Sequence, residues 1–113
     1  MTNDKSLLVR IMGDHPSVRI LDFLIDNKNF DYSKTDVCDG ANVSPGSLYK
    51  IWHNLEESGI VVKTRQYGAT KLYRLNKENP LVKKLLEFDF ELCKHYAGLE
   101  VEGVQAEAMP VPG

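Results

Sequence analysis

Apolar positions repeat at helical spacing from Leu7 to Ile25, again from Leu48 to Leu55 and from Leu81 to Tyr96, and take on strand-like composition between Ile60 and Leu75. Leu7, Leu8, Ile11 and Met12 share one helical stripe. Gly13 can end that helix, and Asp14 can cap the next, whose core stripe is Val18, Leu21, Leu24 and Ile25. Ser33 and Asp36 have capping-box spacing, so a short helix is expected from Lys34 to about Gly40. Cys38, Asn42 and Val43 then fill the slots of a tight interhelical corner: a small residue, one tolerant of left-handed φ, and an apolar one.

Residues 44–58 form the best-marked helix. Ser44 offers an N-cap oxygen, Pro45 suits the first helical position, and Gly59 stops the run. Leu48, Ile51, Trp52 and Leu55 fall on one stripe, with Gly46, Tyr49, Lys50 and His53 roughly opposite. One side packs, and the other carries hydrogen-bonding and cationic groups. Glu56 and Glu57 are expected to point away from whatever that side meets.

After Gly59, the runs IVVKTRQ and TKLYRL flank Tyr67-Gly68-Ala69, a hairpin with glycine at its tip. Phe30-Asp31-Tyr32 is a candidate short third strand. The cations of this stretch are Lys63, Arg65, Lys71, Arg74 and Lys77, with no acid among them. Arg65 and Lys71 therefore read as unneutralised charges at the tip. The net charge of −2 hides this bias, since residues 41–77 carry +4, from six bases against two acids. The local field governs encounter with phosphate more than the whole-chain charge does.

Two short helices, a corner and a basic hairpin make up a helix-turn-helix with a wing. Residues 14–96 resemble the winged helix-turn-helix domain of small archaeal and bacterial transcriptional regulators. The resemblance rests on VSPGSLYKIWHNLEESGIV, with its Leu-Glu-Glu-x-Gly-hydrophobic exit, and GATKLYRLN, with its aromatic-x-Leu-Asn close. It implies a mainly α fold with a small β-hairpin, an extra N-terminal helix and a long C-terminal helix. It also implies double-stranded DNA as partner, with helix 44–58 in the major groove and wing 60–76 on the backbone or in the minor groove. Groove contacts would fall to Gly46, Ser47, Tyr49, Lys50 and His53, and wing contacts to Arg65, Tyr67 and Lys71. Ser44, Asn54 and Lys63 complete the candidate DNA-binding set. No arginine stands on the recognition helix. The rival reading is a winged helix that docks a protein within a larger assembly. It asks for an apolar outer face, which Lys50, His53 and Asn54 do not supply.

A chain of 113 residues allows one domain, placed at residues 1–96, with an acidic disordered tail at 97–113. Asn79 and Pro80 open the final helix. Its apolar residues spread over roughly 200°, about twice what one buried face needs. A second copy is the economical partner, which makes Leu7, Leu8, Ile11, Leu85, Phe88, Leu92 and Tyr96 the candidate homodimer interface. Asp89 lies within that apolar sector and is expected to reach a cation such as Arg10, or a wet edge.

Glu91 and His95 are one turn apart, but Cys93 points elsewhere, so a solvated pair is favoured over a metal clamp. Cys38 fills a small buried slot and reads as inert. No nucleophile-base pair, phosphate-cradling loop, CxxC, signal peptide or membrane-length apolar run is visible. The expectation is a cytoplasmic non-enzyme with no cofactor or metal, its effector open.

Overall fold

The computed structural model describes residues 6–105, with side chains to residue 98. The elements run α1 (Leu7–Met12), α2 (Pro16–Asp26), α3 (Lys34–Ala41), α4 (Pro45–Glu57), β1 (Val61–Tyr67), β2 (Thr70–Leu75) and α5 (Pro80–Gln105). Helices α1 to α4 and the root of the hairpin enclose one core, with Leu8, Ile20, Leu24, Val37, Leu48, Trp52, Val61, Leu75 and Val82 almost fully buried.

Local chemistry explains the boundaries. Ser33 and Asp36 close a reciprocal capping box, so α3 starts where two backbone N–H groups find side-chain acceptors. The corner after α3 turns on Asn42, whose φ of 58° is left-handed, and Val43 packs against the core beyond it. The carbonyls at the end of α3 are answered from α2: Arg19 donates to Ala41 O at 3.1 Å and to Asn42 O at 3.2 Å. The same guanidinium holds Asp14 at 2.6 Å. Asp14 therefore does not cap α2; His15 occupies the cap position without a side-chain bond.

Gly40 has a steric reason that the sequence does not announce. A Cβ there would lie 2.1 Å from Phe23 Cε1, so α3 crosses α2 only because the side chain is missing. Gly40→Ala is expected to lower stability by about 1–3 kcal/mol in urea denaturation, despite the better helix propensity of alanine. A gain in stability would show that the Phe23 ring yields.

β1 and β2 pair antiparallel, from Val61 opposite Leu75 to Tyr67 opposite Thr70. The loop is Gly68-Ala69, and Gly68 takes the positive φ, 58°, that the first residue of such a turn needs. Tyr32 adds a bridge to Tyr73 through two backbone bonds of 2.9 and 2.8 Å, which is as far as the third strand goes. A register shift between Lys63 and Arg65 makes Thr64 a bulge.

α5 opens with Asn79 Oδ1 accepting from Leu81 N at 2.8 Å and spans 26 residues, about 39 Å at the helical rise. It passes the expected end near Tyr96 and continues to Gln105; residues 106–113 lie outside the described residues. Val82 reaches the core, and Leu85, Leu86 and Leu92 pack against it. Leu8, expected between copies, belongs to the core of its own chain at 1% exposure. Its neighbours Ile11 and Met12 stay exposed, as do Leu81, Phe88 and Phe90. Asp89 does not pair with Arg10. It is half-buried beside Asp22, and burial first, then that carboxylate, push its pKa up, with Lys28 opposing.

Candidate nucleic-acid interface

The exposed side of α4 begins at its own cap. Ser44 Oγ accepts from Ser47 N at 3.1 Å and lies 3.1 Å from Ser47 Oγ, so both hydroxyls are tied to the helix start. Gly46 faces open space, and a Cβ at that position would meet nothing within 4 Å. Tyr49, Lys50, His53 and Asn54 follow on the surface, while Leu48, Trp52 and Leu55 are buried, as the helical stripe requires. His53 Nε2 sits 3.2 Å from Glu57 Oε2. Glu57 thus shares the face of His53 instead of pointing away from it. The cationic part of the face is its N-terminal half.

Lys34 joins that half from α3. Its Nζ stands 5.2 Å above the Tyr49 ring and 5.7 Å above the Tyr73 ring, so one ammonium lies over aromatics from α4 and from the hairpin. A groove of 330 Å³ opens at this meeting point, lined by Ser33, Lys34, Thr35, Tyr49, Ala69, Thr70, Lys71 and Tyr73. Tyr49 and Lys71, named from distant parts of the sequence, share it. Among the described residues no carboxylate comes within ion-pair distance of Lys50 or Lys71.

Arg65 is different. The sequence shows no acid near the hairpin tip, but Asp31 arrives from the α2–α3 connection. Its Oδ2 accepts from Arg65 Nε at 3.0 Å and from Thr64 Oγ1 at 2.6 Å; its Oδ1 accepts from Arg74 Nε and Nη2 at 3.0 and 2.6 Å. The bulge makes this possible, since successive strand residues otherwise face opposite ways. The Thr64 hydroxyl above all, with the two guanidiniums, holds the Asp31 carboxyl down at about 2 against its burial. The Asp31 side chain is only 5% exposed, against 57% for Arg65 and 44% for Arg74. Arg65 also donates to the Tyr67 hydroxyl at 2.9 Å, and Lys63 donates to Gln66 Oε1 at 3.1 Å. The sequence marks Arg74 only as one of the wing's cations and gives no sign of Asp31 or Lys34 at this surface.

The smaller candidates lie elsewhere. Glu91 meets Lys94 at 3.5 Å, and His95 stacks edge-on with Tyr96. Burial raises the thiol pKa of both Cys38 and Cys93, with Asp39 adding to it at Cys38 and Asp89 foremost among three aspartates at Cys93. That disfavours the reactive thiolate. No helix among the described residues is long and apolar enough to cross a membrane.

No protein-family model and no curated protein matches the sequence. Solved structures do match the fold. NadR in complex with 4-hydroxyphenylacetate aligns with a TM-score of 0.58 at 20% identity over 88% of this chain and 67% of its own. A mutant of Lactococcus lactis ZitR gives 0.57 at 15% identity over 79% and 67%. Sso10a-2, a DNA-binding protein from Sulfolobus solfataricus, gives 0.51 at 15% identity over 83% of this chain and 96% of its own. At these identities the likeness speaks for architecture. A helix-turn-helix, a two-stranded basic hairpin beside its second helix, and flanking helices at both ends give this chain a winged helix-turn-helix fold.

Proposed function

We propose that the protein is a transcriptional regulator that binds double-stranded DNA as a homodimer, with α4 in the major groove and the hairpin on the adjoining backbone. The observation that carries the reading is the surface formed by Tyr49 and Lys50 of α4, Lys34 of α3 and Lys71 of the wing. It is exposed, cationic and rich in hydroxyls, and it lies on the side of α4 away from the core. Such groups serve phosphates and base edges. Sso10a-2, which shares the fold, is described as DNA-binding, and a Methanosarcina mazei protein of the same fold as a possible transcriptional regulator. The groove-facing set is Ser44, Gly46, Ser47, Tyr49, Lys50, His53 and Asn54, with Lys63, Tyr67 and Lys71 on the wing. Arg65 takes part with half its charge already answered by Asp31.

Assembly through α5 gives two recognition helices for two half-sites. Leu81, Leu85, Phe88 and Leu92 follow one another at spacings of 4, 3 and 4, the repeat of a two-stranded helical seam. Ile11 of α1 is an exposed candidate to flank it.

The test is a binding titration across salt concentrations on random and selected duplexes. Lys50→Ala is expected to weaken binding by about 1–3 kcal/mol without changing the unfolding midpoint. A wild-type chain that ignores duplex DNA at low salt, or a neutral Lys50→Ala, would overturn the proposal in favour of protein docking.

A further inference from the structure

One carboxylate holds both arginines of the wing, and it comes from outside the wing. Asp31 precedes α3, more than thirty positions before its partners, and the fold brings it under the bulge at Thr64. Three side chains donate to it, and it is almost enclosed, while both guanidiniums stay about half exposed on the outer side. The group therefore presents a net charge of +1 where the arginines alone would present +2. Its carboxyl, held near 2, keeps that negative charge at neutral pH.

From this arrangement we infer that Asp31 is a specificity-determining residue: it caps the wing's attraction for DNA phosphate and so limits sequence-independent binding. The inference rests on the DNA-binding reading of the same surface. Phosphate attraction is nearly the same for every sequence, and each neutralised phosphate adds close to one unit to the salt dependence of binding. Halving the charge of the Arg65–Arg74 pair weakens that common contribution. Contacts from α4 to base edges are left untouched, so the ratio of specific to random binding rises. Asp31 acts here through the arginines and has no need to meet DNA.

Asp31→Asn removes the charge and keeps an oxygen to accept from Thr64. On random duplex it is expected to bind several-fold more tightly than wild type, and log K against log salt should steepen by up to about 2 per dimer. The ratio of selected to random affinity should fall. A merely structural role predicts the opposite, since a loosened wing weakens binding while the slope stays level or flattens. Should Asp31→Asn not fold by circular dichroism, Asp31→Ser removes the same charge and keeps a hydroxyl. If neither folds, or if a folded variant leaves the slope unchanged or shallower, the inference fails. Wild-type protein that does not bind duplex at all would instead sink the DNA-binding reading itself.

Discussion

Trp52→Ala is expected to lower the free energy of unfolding by about 3–5 kcal/mol, a large part of the 5–15 kcal/mol that roughly bounds a domain. The indole is 1% exposed and meets the Tyr73 ring edge-on, with centroids 5.2 Å apart and planes at 81°. Tyr73 in turn bonds the backbone of Tyr32. Trp52 thus joins the buried face of α4 to the root of the wing and to the segment that carries Asp31. Truncation leaves a cavity where three elements meet, and the surrounding helices cannot close it without moving the exposed face of α4. Lys50→Ala, two positions earlier on the opposite face, should stay within about 0.5 kcal/mol of wild type. Urea denaturation followed by far-ultraviolet circular dichroism makes the comparison without relying on the lost fluorophore. A loss below about 1 kcal/mol for Trp52→Ala would mean that the packing side of α4 has been misassigned.

What can be read from sequence is local. Ser33 with Asp36, Ser44 with Pro45, and Asn42 at the corner each act within a few residues of where they stand, so caps and turn residues place α3 and α4 to within a residue or so. The stripe of Leu48, Trp52 and Leu55 names the buried face for the same reason. Partners distant in sequence leave no such trace. Asp31 reaches across to Arg74, and nothing in the charge pattern of the wing announces a carboxylate donated from the α2–α3 connection. Periodicity tells which face of a helix is apolar, not what covers it, and this is why it points Leu8 to an interface when the side chain fills the core of its own chain. Gly40 reads as a weakness of α3, yet it is the point at which Phe23 of α2 comes closest. The bulge at Thr64, which aims Thr64 and Arg65 at one acceptor, has no signature in residue type.

Phe88→Glu is expected to convert a dimer to monomers in analytical ultracentrifugation and to weaken DNA binding by about 10²–10⁴. Phe88 is 44% exposed in the single chain, and Leu81, on the same stripe, is 64% exposed. Leu85 and Leu92 between and beyond them are partly covered by the core, so the proposed seam is shared between the chain's own packing and a second copy. A charge at Phe88 therefore strikes the contact between copies while leaving the fold intact, which Leu85→Glu would not do so cleanly. Each released protomer keeps its recognition helix but meets only one half-site, and the loss comes from the missing second engagement. Phe90, 62% exposed and roughly 200° further round the helix, supplies the control. Phe90→Glu should sediment like wild type and bind DNA with the same affinity. A wild-type chain that sediments as a monomer at micromolar concentration would remove the dimer, and with it the expectation of paired half-sites one helical turn apart.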